Sequence, residues 1–186
     1  MIWHFGFRAL FSSALKRLNF YASSTLPPYP MLDKNFKEFV QLLNANAVEY
    51  LIVGGYALMA HGHPRYTGDI DFWVSPTQKN IANLLVALEQ FGFASLQLKP
   101  SDFQNPDTII QLGFPPERID LMLSVSGVEF ESAYAVRLDV ELEDVRVNVI
   151  NREDFIRNKQ ATGRDKDFLD LKELGVQPNW PNPFQR

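Results

Sequence analysis

The chain has 186 residues, 46% hydrophobic and 22% charged, which is enough apolar material for one sizeable core and too little length for a second full domain. It has no cysteine; this excludes a disulfide framework, a thiolate zinc site and a cysteine nucleophile, and makes a reducing, cytoplasmic location the expectation. The formal charge of −4 divides unevenly, because Arg8, Lys16 and Arg17 contribute +3 to residues 1–30 with no acid, leaving −7 on the rest; an anionic ligand would have to be met by local cations and metal ions, not by a broad basic face.

Residues 1–30 are basic, aromatic and serine-rich and end in the breaker run 25–30, so they read as an appendage. Its apolar stretch is interrupted by Arg8 and followed, not preceded, by Lys16 and Arg17, which argues against a secretory signal; it is also too short to span a bilayer. A transit-like or surface amphipathic helix fits the composition, and so does translation from an upstream start, since Met31 opens a well-patterned helix. The expected division is an appendage at 1–30, disordered or a mis-assigned start, a domain at 31–176 and a proline-rich tail at 177–186.

From Leu32 the apolar positions Phe36, Phe39, Val40, Leu42 and Leu43 recur at helical spacing to about 44–46. Residues 50–53 predict a short buried strand that stops at Gly54-Gly55, and residues 56–61 a short helix. A second strand is expected at 69–74. Ser75-Pro76 then reads as a cap with proline at the first helical position, opening an amphipathic helix to about Phe91 that Gly92 closes. Further strands are expected at 108–112, 118–125, 138–142 and 145–150, and two helices at 152–161 and 164–174, divided by Thr162-Gly163. There is no internal repeat, and the expected class is mixed α/β, a central mixed sheet flanked by helices with further helices at the C-terminal end.

In the strand 69–74 the period of two puts Asp69 and Asp71 on one face and Ile70 and Phe72 on the other. Two carboxylates in one small volume repel or raise each other's pKa unless a cation lies between them, and magnesium, with its preference for oxygen ligands, resolves that cost. Asp-x-Asp by itself also occurs on many exposed strand ends. Its context is more specific: upstream, residues 51–53 run into Gly54 and Gly55, where backbone N–H groups can approach phosphate, although an ordinary strand-to-helix turn would look the same.

The stretch from Val53-Gly54-Gly55 through His61-Gly62-His63-Pro64-Arg65-Tyr66-Thr67-Gly68 to Asp69-Ile70-Asp71 resembles the nucleotidyltransferase superfamily related to DNA polymerase β, whose motif is an apolar strand, Gly-Gly or Gly-Ser, a short gap and Asp-x-Asp or Asp-x-Glu. It is particularly similar to the small bacterial branch of AbiEii-type toxins. The resemblance implies the nucleotidyltransferase fold and Asp120, within Arg118-Ile119-Asp120-Leu121-Met122, as the third catalytic, metal-binding acid. It implies two magnesium ions, with manganese as a substitute, that orient a nucleoside triphosphate for attack on its α-phosphorus and release of pyrophosphate. The acceptor is left open among RNA, protein and small molecules, and an antitoxin partner is implied by the toxin branch. A strand-edge or helix-cap role is the structural alternative for Asp120.

Gly55 replaces the serine of the Gly-Ser form, so Gly54 and Gly55 would hold phosphate through backbone donors alone. The tail 155–171 resembles the lysine, arginine-lysine-aspartate and aspartate-leucine pattern ending AbiEii-like domains, which implies that Lys159 and Lys166 reach the nucleotide, with Arg164 beside them and Arg65 in the loop before the acids. The alternative is a solvated helix face with Asp167, Asp170 and Lys172 as surface charges. Thr67 is expected to bond the loop or a phosphate. His61 and His63 have no third nitrogen or sulfur ligand at motif spacing, which disfavours zinc. A non-catalytic module retaining the fold and an antibiotic-modifying transferase are the competing functional readings.

Overall fold

The computed structural model describes residues 34–142 and 144–177; the expectations for the appendage and for the end of the proline-rich tail lie outside them. Helix α1 (Lys34–Ala45) buries Phe36, Phe39, Val40 and Leu43, the i, i+3, i+4, i+7 stripe legible in the sequence. Strand β1 (Tyr50–Val53) is buried along its whole length, as a central strand should be, and runs directly into α2 (Gly54–Ala60). Strand β2 (Asp69–Val74) follows. Helix α3 (Gln78–Gln90) is capped by Thr77, whose hydroxyl accepts from the Asn80 N–H, so the cap lies two residues beyond Ser75 and Pro76 precedes the helix. Asn80 settles the competition: its buried side chain bonds the Glu49 N–H and the Glu49 and Ser75 carbonyls, which holds residue 75 in an extended lead-in to the helix.

Two 3₁₀ turns, Phe93–Leu96 and Pro100–Phe103, lead to β3 (Ile109–Leu112) and β4 (Arg118–Met122). Strand β4 ends at Met122, short of the expected 125; beyond it Val125 pairs only with Val128 in an isolated bridge. The short α4 (Phe130–Ala135) was not anticipated, and β5 (Leu138–Leu142), β6 (Val145–Val149), α5 (Arg152–Thr162) and α6 (Asp165–Glu173) fall within a residue or so of expectation. Asn151 caps α5 by accepting from the Asp154 N–H, and Gly163, at φ +61°, ends it in the left-handed conformation that favours glycine.

The six strands form one mixed sheet in the order β3-β4-β2-β1-β6-β5. Strands β1 and β2 are antiparallel, whereas β2 with β4, and β1 with β6, are parallel. The period of two separates the faces of β2. Phe72, on the face opposite the acids, meets Phe39 of α1 and Tyr50 edge-on at 5.3 and 5.5 Å. Trp73, on the acid face, packs on Phe130 of α4 and donates its indole N–H to the Leu123 carbonyl at 3.1 Å. Trp73 thus closes the core at one end of the strand, and the polar end carrying Asp69 and Asp71 is left facing a cleft. Among the described residues no helix is long and apolar enough to cross a membrane.

Candidate active site

The parallel register of β2 and β4 sets Asp69 opposite Arg118 and Asp71 opposite Asp120. Four charged side chains therefore occupy one face of two neighbouring strands, at the wall of a cavity of about 520 Å³. Arg118 bridges the strands: Nη2 donates to Asp69 Oδ2 at 2.5 Å and to Asp120 Oδ2 at 3.0 Å, and Nε donates to Asp120 Oδ1 at 2.7 Å. Gln111 of β3 adds a bond from Nε2 to Asp120 Oδ2 at 3.2 Å. Arg118 and Gln111 were missed in the sequence. The signal for Arg118 was present, since it stands two positions before Asp120 and so shares its face.

No described cation lies within ion-pairing distance of Asp71. Burial, then the charges of Asp69 and Asp120, push its carboxyl up to about 6, against the weaker pull of Lys166 and Lys159. The two glycines explain how the acids fit. A Cβ built on Gly54, whose φ is +62°, would lie 1.9 Å from Asp71 Oδ2, so the space beside this backbone belongs to the aspartate. A Cβ on Gly55 would meet the Thr67 side chain at 2.9 Å, and Thr67 donates its hydroxyl to Asp69 Oδ1 at 2.7 Å. Both glycines line the cavity, and their close approaches are to the chain's own acid and threonine.

The same cavity is lined by Arg65, Lys159, Arg164 and Lys166. Lys159 is 2% exposed, and its ammonium bonds Asp167 Oδ1 and Asp170 Oδ2, each at 2.8 Å. Arg164 forks onto Asp167 at 2.7 and 3.2 Å, and Arg65 onto Asp170 at 2.9 and 3.3 Å. Burial raises the Asp167 carboxyl, but the bonds from Arg164 and Lys159 outweigh it and hold the group well below the usual carboxylate range. The alternative that made Asp167 and Asp170 surface charges is thereby corrected: both are buried and are paired with Lys159, Arg164 and Arg65. The stripe 167, 170, 171, 174 would have revealed them, because Leu171 and Leu174 are buried on the same helical face while Phe168 and Leu169 are exposed. Lys166 forms no ion pair among the described residues and is the cation least committed to the protein's own acids. Lys172 does not line the cavity.

The donor set suits a hard divalent cation. Its oxygens are carboxylates, three of which share one face of two strands, and the Arg118 guanidinium already stands among them where a positive charge is needed. Among the described residues, however, no group of three His, Asp or Glu side chains is arranged to hold a metal as it stands. Asp69, Asp71 and Asp120 would supply the protein ligands, with water and phosphate filling the remaining positions. His61 is absorbed into the structure: its Nε2 lies 2.9 Å from the Ile150 carbonyl, and burial lowers its pKa.

An α/β domain with three acids on one face of two adjacent strands fits the resemblance that the glycine pair and the Asp-x-Asp strand carry in the sequence. The match to a family model is direct: residues 31–180 fit the family described as nucleotidyltransferase of unknown function, DUF6036, and the chain belongs to it. A solved structure, that of an antigenic nucleotidyltransferase-like protein from Paracoccidioides brasiliensis, is similar at 19% identity with a TM-score of 0.44, over 74% of this chain and 71% of that one. No protein of curated function matches.

Proposed function

We propose that the chain transfers a nucleoside monophosphate from a nucleoside triphosphate to an acceptor hydroxyl, with Asp69, Asp71 and Asp120 as its acidic centre. The observation that carries this reading is the face shared by the three carboxylates at a cavity that Lys166, Arg164 and Arg65 also line. The base and sugar would take the rest of the cavity. Lys166 meets the triphosphate directly, and the exposed edges of Arg164 and Arg65 add positive potential while Asp167 and Asp170 hold them in place.

Magnesium, when bound by the carboxylates, supplies charge neutralisation at the α-phosphate and lowers the pKa of the attacking hydroxyl. Asp120 accepts the proton from that hydroxyl, whose oxygen forms the new bond to the α-phosphorus. The bond to the bridging oxygen breaks, and pyrophosphate leaves. Thr67, bonded to Asp69, fixes the orientation of the first acid.

The acceptor is the hydroxyl of an RNA, a protein or a small molecule. Incubating the chain with each of the four radiolabelled triphosphates, magnesium or manganese, and total RNA, protein and metabolites should label one of these pools. Asp69→Ala, Asp71→Ala and Asp120→Ala should each abolish the labelling, and full activity in either of the first two would sink the metal-site assignment. A toxin role adds that expression arrests growth, that Asp71→Ala relieves the arrest, and that a cognate antitoxin neutralises it. One observation favours a second reading. Arg118 neutralises part of the acidic cluster, so the carboxylates are tolerable without metal and a non-catalytic binding module could retain them. Triphosphate binding with no transfer into any pool would favour that module.

A further inference from the structure

The Arg118 guanidinium occupies the carboxylate oxygens that the proposed function assigns to metal. It bonds Asp69 Oδ2 and both oxygens of Asp120, so a divalent ion on these carboxylates would meet the guanidinium charge at close range and the two cations compete for the same acids. The arginine is nevertheless free to leave. Its side chain is 25% exposed at the cavity wall, unlike that of Lys159, which is 2% exposed between two buried acids. Asp120 would keep its bond from Gln111 after Arg118 departed, so the acid has a second support.

We propose, on the basis of that function, that Arg118 is an internal counter-ion that exchanges partners, clasping Asp69 and Asp120 in the metal-free protein and turning onto the triphosphate when a divalent ion takes the carboxylates. Three carboxylates face one delocalised positive charge, and a hard dication carries twice that charge at a shorter distance from oxygen. The displaced guanidinium stays in the cavity, where its planar fork matches a pair of phosphate oxygens. Metal and triphosphate then assist each other: phosphate rewards Arg118 for leaving the acids, and the metal frees Arg118 for phosphate. This coupling is reciprocal by linkage.

The test reads two bindings of opposite sign. Manganese binding without nucleotide is followed by loss of the free-ion paramagnetic signal, and inorganic tripolyphosphate binding in magnesium by calorimetry, which leaves the identity of the base out of the question. Charge-assisted bonds of this kind correspond to factors of about ten or more in affinity. Arg118→Met is therefore expected to bind manganese alone about tenfold more tightly and tripolyphosphate about tenfold more weakly than the natural chain. Arg118→Lys keeps one charge without the fork and should shift both constants the same way by smaller factors; it carries the test if the methionine variant does not fold. A residue that merely supported the fold would weaken both bindings. Manganese affinity that is unchanged or lower in the folded variants overturns the exchange while leaving the transferase reading standing. Absence of manganese binding in every form, the natural chain included, overturns the metal site itself and the exchange with it.

Discussion

Asp71 and Asp120 face each other across two strands, yet removing their charges should have opposite effects on stability. Burial and like charges raise Asp71 to about 6, so folding works against its ionised form. That cost is absent below the unfolded value of about 4, grows between about 4 and 6, and is fully present above, reaching about 3 kcal/mol by the size of the shift. Asp71→Asn is expected to raise the unfolding temperature at pH 7.5, with the gain fading toward pH 4; a gain that persists unchanged at pH 4 would contradict this cause. Asp120 is nearly buried and accepts from both Arg118 and Gln111. Asp120→Ala strands those donors and should lower stability by about 1–3 kcal/mol, measured by denaturant titration at pH 7.5.

Gly54 gives a sharper test at the same scale. Alanine there meets Asp71 Oδ2 at 1.9 Å and is strained by the positive φ, so Gly54→Ala should either fail to fold or displace the aspartate. Gly55→Ala meets the Thr67 side chain, its Cβ included, at 2.9–3.1 Å, farther than the Gly54 approach and without a positive φ, and should be milder. Equal unfolding temperatures for the two alanine variants would remove the close approach from the account.

Among the elements, the pair α5 and α6 separates lysines that look alike in the sequence. Lys159→Ala leaves Asp167 and Asp170 buried without their shared ammonium, and breaking such a pair typically costs about 3–5 kcal/mol. Lys166→Ala should instead preserve stability and weaken triphosphate binding about ten- to a hundredfold. Lys172→Ala should change neither. Thermal unfolding and magnesium-tripolyphosphate calorimetry on the three variants check this division, and a fully stable Lys159→Ala would return Lys159 to the role of a free phosphate ligand.

That division also marks the limit of what one dimension reveals. The positions of α1, β1 and β2 were legible because apolar spacing alone specifies which face is buried, and the strand period alone placed Asp69 beside Asp71. Arg118 reaching Asp69 depends on the register between β2 and β4, which spacing within either strand does not contain. The alternative that left Asp167 and Asp170 as surface charges stayed open because charge usually outweighs a helical stripe, and Lys159 and Arg65, which make their burial tolerable, lie on other elements. The cap at Thr77 was missed for a similar reason, since Ser75 is held extended by Asn80 and the chain near Glu49.

For the whole molecule, the family match begins at Met31, where the composition of the chain also changes. A chain starting at Met31 is expected to fold with the same unfolding temperature and to bind magnesium-tripolyphosphate equally well. Loss of soluble expression or of binding in that truncation would assign residues 1–30 a part in the domain or in targeting it.

Strand β4 reaches β2 only after the intervening chain has closed a long loop, with 49 positions separating Asp69 from the Arg118 that bonds it. During folding, Asp69 and Asp71 can therefore come together on their own strand before Arg118, the partner of Asp69, arrives. Local order in β2 is opposed by charge repulsion until β4 docks, and docking then gains an electrostatic reward in addition to the apolar contacts of Ile119 and Leu121. The acidic pair makes the half-built sheet a poor resting place, so the centre forms together with the long-range topology and a chain arrested before β4 has no assembled site.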